Sequence, residues 1–104
     1  MTSKTNVIRF LVFALLISSF GTAMAGDPVK GRKIYAERCS GCHGENGLPQ
    51  VPALPNFTMG QGLMKPDRDL VEFIKKGKGV MPGFSGVLTD DEILDVLAHV
   101  RTFF

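Results

Sequence analysis

Without its first 25 residues this chain keeps about 79, too few to stabilise a core without a staple. Those residues are set aside because of their order. Lys4 and Arg9 make a positive start. Phe10 to Ile17 form an apolar run that Val7, Ile8 and Phe20 extend, and Ala23-Met24-Ala25 follows as a small-x-small cleavage pattern before Gly26. This is the layout of a secretory signal. The run from Val7 to Phe20 falls short of the ~20 apolar residues that a membrane span needs. The expectation is therefore a signal peptide over residues 1–25, with a retained N-terminal anchor as the alternative, and a single domain over residues 26–104 with no stable membrane span.

Removing the leader also removes the excess of positive charge. The whole chain has 12 Lys+Arg against 10 Asp+Glu, and Lys4 and Arg9 leave without any acid, so ten of each remain. A neutral domain of this kind gives no footing for a nucleic-acid partner. Its two cysteines allow at most one internal disulfide. Stabilisation has to come from elsewhere.

Three helices are legible. Asp27-Pro28 offers an N-cap followed by proline at the first helical position, opening a helix to about Ser40 with Gly31, Ile34, Tyr35 and Arg38 on one face. A second begins near Pro66-Asp67, carries Leu70, Phe73 and Ile74 as its apolar stripe, and stops at Gly77. Thr89-Asp90-Asp91-Glu92 is a capping-box sequence that opens the third, with Ile93, Val96, Leu97, Val100 and Phe104 facing inward. Between the first two lies a Gly- and Pro-rich stretch, Gly44 to Lys65, which is long for a loop inside a compact domain and needs something to wrap around. No run alternates like a strand. The expected class is all-α, with too little apolar helix surface to close a core by itself.

Cys39-Ser40-Gly41-Cys42-His43 supplies the missing mass. Cys-x-x-Cys-His is the attachment pattern for a c-type haem. The spacing lets both thiols reach the two vinyl groups on one side of a porphyrin as thioethers, and His43 follows directly as the proximal iron ligand. Three other readings fit less well. A thioredoxin-like motif needs a strand–helix setting that the chain lacks. A structural zinc site needs four separated ligands, where only Cys39, Cys42, His43 and His99 exist. A plain Cys39–Cys42 disulfide leaves the core unexplained.

The iron then needs a sixth partner. Met59, Met64 and Met81 remain after the leader is removed. Met81 lies in Gly77-Lys78-Gly79-Val80-Met81-Pro82-Gly83-Phe84, where Pro82 constrains the backbone before it and the glycines allow a flat approach. Met81 is the expected ligand, and simple packing on the porphyrin is its alternative role. If this reading holds, the polypeptide encloses an apolar slot walled by Leu54, Phe57, Leu63, Phe73, Met81, Phe84 and Leu97.

Cys39 to His43, Met81-Pro82 beyond a helix and the amphipathic last helix together resemble the class I monohaem cytochromes c over residues 27–104. The resemblance implies one covalent haem c, bound through Cys39 and Cys42, its iron held by His43 and Met81, in a small fold of three main helices and long loops. It implies a monomeric periplasmic electron carrier rather than an enzyme, serving a respiratory chain through redox partners such as an oxidase, a nitrite reductase or a periplasmic dehydrogenase. It further implies that the first and last helices cross at Gly31 with Tyr35 and Phe104 nearby. Pro52, in Pro52-Ala53-Leu54, would accept a hydrogen bond from His43. The family often has tyrosine where this chain has His99, which is expected at the helix crossing or the surface rather than on the iron. Lys75, Lys76 and Lys78 read equally well as a docking patch for a partner or as cations complementing a helix C-terminus.

Overall fold

A computed structural model describes Lys4, residues 6–9 and residues 26–104 of the chain. The expected cleavage site at Ala23-Met24-Ala25 lies outside the described residues. Helix α1 spans Pro28–Arg38, α2 is the single turn Ser40–His43, α3 spans Asp67–Lys76 and α4 spans Asp90–Val100. Two 3-10 turns, Phe57–Met59 and Arg101–Phe103, complete the regular structure. The described residues contain no strand, only an isolated bridge between Lys78 and Met81. The architecture is the all-α one expected, and no described helix is long and apolar enough to cross a membrane.

Each helix starts and stops for a local reason. The Asp27 carboxylate accepts from the Val29 and Lys30 N–H groups at 2.9 and 3.3 Å, satisfying donors that the first turn of α1 leaves free. Helix α4 has a complete capping box: Glu92 N–H donates to Thr89 Oγ1 at 3.1 Å, and Thr89 N–H donates to Glu92 Oε1 at 3.0 Å. Helix α3 has no side-chain cap at Pro66 but places Asp67 and Asp69 in its first turn and Lys75 and Lys76 in its last, matching its dipole at both ends.

Helices α1 and α4 cross at backbone distance. A Cβ on Gly31 would run into the Asp95 carbonyl, so only glycine lets the two helices meet there. The Asp27 N–H donates to the Asp95 carboxylate at 2.7 Å, tying the start of α1 to the same turn of α4. Helix α3 is held to α4 by the ion pair of Lys75 with Asp90 at 3.1 Å and to the 3-10 turn after α4 by that of Arg101 with Asp67 at 2.6 Å.

The apolar face of α4 serves two clusters. Ile93 and Leu97 pack with Leu70, Val71, Phe84 and Leu88. Val96 and Val100 pack with Tyr35 and Leu63. Two inward assignments change. On α3, Val71 is buried beside Leu70, whereas Phe73 is 40% exposed. At the C-terminus Phe104 is exposed, and Phe103 instead meets Tyr35 edge-on with ring centroids 5.3 Å apart. The cause is the 3-10 turn. Its three-residue period brings Phe103, three after Val100, onto the face where a continued α-helix would have put Phe104.

This exchange has a measurable consequence. Phe103→Ala should cost roughly 1–3 kcal/mol, below the range for a fully buried phenylalanine, whereas Phe104→Ala should cost less than about 1 kcal/mol. Thermal melts of the two variants under the same conditions decide it. Equal losses would put the inward residue back at Phe104.

Candidate functional site

The two clusters flank a cavity of about 560 Å³. All seven residues expected as its walls line it: Leu54, Phe57, Leu63, Phe73, Met81, Phe84 and Leu97. Phe73 is thus exposed to this space rather than simply to solvent. Cys39 and His43 line the same cavity. Among the described residues that line it, Lys65 and Lys78 are the charged ones and none is a carboxylate.

The Cys39–His43 segment is a helical corner. Cys39 ends α1 by donating its N–H to the Tyr35 carbonyl at 2.9 Å. The His43 N–H bonds back to the Cys39 carbonyl at 3.0 Å, so the two thiols stand one turn apart. Both are free, which sets the disulfide reading aside. Cys42 is exposed and Cys39 half-buried, and burial pushes the Cys39 thiol up to about 11. Among the described residues no three His, Cys, Asp or Glu side chains gather as a metal group of their own, so a zinc cluster has no support.

His43 stacks on Phe57 with ring centroids 4.8 Å apart and planes 19° from parallel. Burial lowers its pKa below the ordinary histidine value, so the imidazole is held neutral with a lone pair to give. Its Nδ1 is buried and has no hydrogen-bond partner. The hydrogen bond expected to Pro52 is therefore not formed. Pro52 sits at the tip of an exposed turn whose next residue, Ala53, adopts a left-handed backbone with φ +69°. Pro52 lines the cavity from that turn, but the residue brought against the imidazole is Phe57. Sequence reasoning placed Phe57 in the wall but missed this stack. The 14-residue gap between His43 and Phe57 carries no periodic signal that could reveal it.

Met81 hangs on a tight turn. Lys78 N–H donates to the Met81 carbonyl at 3.1 Å and Met81 N–H to the Lys78 carbonyl at 3.0 Å. The chain beyond it is pinned to the end of α3, where Phe84 and Ser85 N–H groups donate to the carbonyls of Ile74 and Lys75, both at 3.1 Å. Two glycines permit this. A Cβ on Gly77 would come within 2.6 Å of the Met81 carbonyl, and one on Gly83 within 2.7 Å of the Lys75 carbonyl. Met59 and Met64 are 72% and 85% exposed and do not line the cavity. His99 also lies elsewhere, edge-on to Tyr35 at 5.3 Å and to Phe103 at 4.9 Å, at the helix crossing as expected.

The arrangement is one apolar cavity holding a neutral imidazole, a thioether sulfur and a thiol, with a second thiol one turn away. These donors suit a soft-ligated iron in an apolar macrocycle. Comparison with known proteins agrees. Residues 26–100 match the family model described as cytochrome c oxidase, cbb3-type, subunit III. The chain is 34% identical to a cytochrome c6 of Thermosynechococcus vestitus, covering 86% of this chain and 82% of that one. It is 34% identical to a cytochrome c6 of Synechocystis sp., covering 86% and 78%. It is also 38% identical to the cbb3-type cytochrome c oxidase subunit FixP of Bradyrhizobium sp., covering 93% of this chain but only 34% of that longer protein. The chain belongs to the class I cytochromes c. As a member of that family it binds haem c covalently and is an electron-transfer protein, not an enzyme.

With about 560 Å³ of largely apolar space left between its clusters, a domain of this size buries too little of its own apolar surface to be stable by polypeptide packing alone. The Cys39→Ala/Cys42→Ala variant should therefore carry little haem and show no cooperative thermal transition by far-UV circular dichroism. A sharp two-state melt from haem-free polypeptide would show that the cofactor is not the core.

Proposed function

We propose that this cytochrome is a single-electron carrier of the periplasm, released there by removal of residues 1–25, with residues 26–104 as the working monomeric domain. Cys39 and Cys42 would hold the haem as thioethers, and His43 and Met81 would hold its iron. The observation that carries this reading is that His43 and Met81, 38 residues apart in sequence, line one apolar cavity together with Cys39.

When bound there, haem c supplies an iron that takes up and releases one electron. The chain's own residues determine what that iron can do. Neutral His43 offers a lone pair without first losing a proton. Met81 offers a soft sulfur that favours the ferrous state and raises the reduction potential. The pinned turn around Met81 and the helical corner around His43 restrict the movement of both donors when the charge changes, which keeps the reorganisation on electron transfer small. With both His43 and Met81 on the iron, no position would be left for a substrate molecule.

Partner docking is brief and steered by surface charge. Of the three lysines considered for it, Lys75 is already engaged by Asp90 and Glu72. Lys76 and Lys78 are exposed and make no ion pair among the described residues, and so would form the basic patch. Suitable partners are redox proteins: an oxidase, a nitrite reductase or a periplasmic dehydrogenase. The relative named as an oxidase subunit supports the first of these and a place in a respiratory chain.

Met81→Ala tests the ligand set. The variant should keep its haem, lose the long-wavelength sulfur-to-iron absorption band of the ferric state, bind cyanide readily and show a lower reduction potential. An unchanged ferric spectrum would remove Met81 from the iron. The mass of the exported protein tests the rest: it should equal the polypeptide starting at Gly26 plus one haem.

A further inference from the structure

Tyr35 is only 2% exposed and grips both ends of the Cys39–His43 segment. Its carbonyl accepts the Cys39 N–H at 2.9 Å. Its hydroxyl, at the far end of the ring, donates to the carbonyl of Gly44, the residue after His43, at 2.6 Å. Between these two bonds lies only the four-residue turn Ser40–His43 and the cysteine before it. A single helical turn does not hold itself, because fixing its dihedrals costs more than its few hydrogen bonds return. The Gly44 carbonyl otherwise receives only the Gly47 N–H, at a long 3.3 Å. The Tyr35 hydroxyl is thus the short bond that fixes the peptide plane following Gly44, while the Gly44 N–H, in the plane following His43, is held by the Ser40 carbonyl at 2.8 Å.

The ring is held as firmly as the hydroxyl. It meets His99 and Phe103 edge-on, each at 5.3 Å, and packs with Val96 and Val100 of α4. Burial, with a smaller contribution from Cys39, raises its phenol to about 12, so it remains a donor across the working pH range.

We propose that Tyr35 is the positioning residue for the His43 imidazole. Through its bond to the next residue, its hydroxyl sets the angle at which His43 enters the cavity. This rests on the reading of His43 as an iron ligand. His43 has need of such a device, since its own Nδ1 finds no partner in the protein.

Tyr35→Phe removes the hydroxyl and keeps the ring. Phe103→Leu, as control, weakens the ring packing and keeps the hydroxyl. Both are studied as purified ferric haem protein. In Tyr35→Phe the mass should still show one attached haem. Amide hydrogen exchange at His43 and Gly44 should rise about tenfold, as expected for one lost buried hydrogen bond. The paramagnetically shifted ring protons of His43 should move. Phe103→Leu should lower the melting temperature and leave those ring shifts near their native values. Native exchange and native His43 shifts in Tyr35→Phe overturn the proposal alone. Ordinary diamagnetic shifts for His43 in the unmodified protein overturn the ligand assignment, and the proposal with it.

Discussion

The fold is organised around a volume that the polypeptide encloses but cannot fill. About 560 Å³ of apolar space sits between two clusters, neither of which has more than six buried side chains. The helices are short and their caps are worth about 1 kcal/mol each, so local structure alone cannot carry the domain. What the cavity requires is a rigid, flat, largely apolar body joined to the chain. Attachment through Cys39 and Cys42 on the helical corner, as proposed, would provide that joint. In a protein of this size the cofactor is therefore a structural member as well as the redox centre.

Redox function follows from the same economy of parts. The two proposed ligands come from elements of different kinds, yet each is locked by backbone hydrogen bonds. His43 belongs to a turn closed on Cys39, and Met81 to a turn closed on Lys78 and pinned to the carbonyls that end α3. Those carbonyls would otherwise be orphans of the helix terminus. One set of bonds thus finishes the helix and immobilises the sulfur. Gly77 and Gly83 exist to let this backbone approach happen, since any side chain at either position would strike a carbonyl.

Most of this was legible in the residues. Helix starts could be read because Asp27-Pro28 and Thr89-x-x-Glu92 are local signals whose meaning does not depend on the rest of the fold. The cavity walls could be read because apolar residues in Gly- and Pro-rich segments have nowhere else to go, and Met81 because its flanking glycines and proline distinguish it from Met59 and Met64. The failures share a different character. Phe104 was placed inward on the assumption that α4 keeps a 3.6-residue period to its end, and the closing 3-10 turn breaks that assumption. Val71 was left out of the α3 stripe, which faces a core through Leu70 and Val71 on one side and the cavity through Phe73 on the other. Pro52 was assigned by resemblance and does line the cavity, yet the His43 Nδ1 finds no partner there. In each case the deciding factor is a tertiary or backbone detail that no residue announces in advance.

Helix α4 explains how so small a protein can hold the two proposed ligand positions in a constant relation. Its residues Ile93 and Leu97 belong to the cluster against which Met81 packs, whereas Val96 and Val100 belong to the one that receives Cys39 and Phe57, the latter stacked on His43. The two pairs are each spaced four apart and offset from one another by three, so they form adjacent ridges on one rigid helix. The spacing between the Met81 side and the His43 side is thereby referred to a single element. That element is in turn fixed against α1 by the close approach at Gly31 and by the Asp27–Asp95 bond. A substitution that shifts α4 along α1 moves both ligand positions together, whereas one that loosens either ridge changes their separation. The second kind bears directly on the iron, although the residue concerned touches neither ligand.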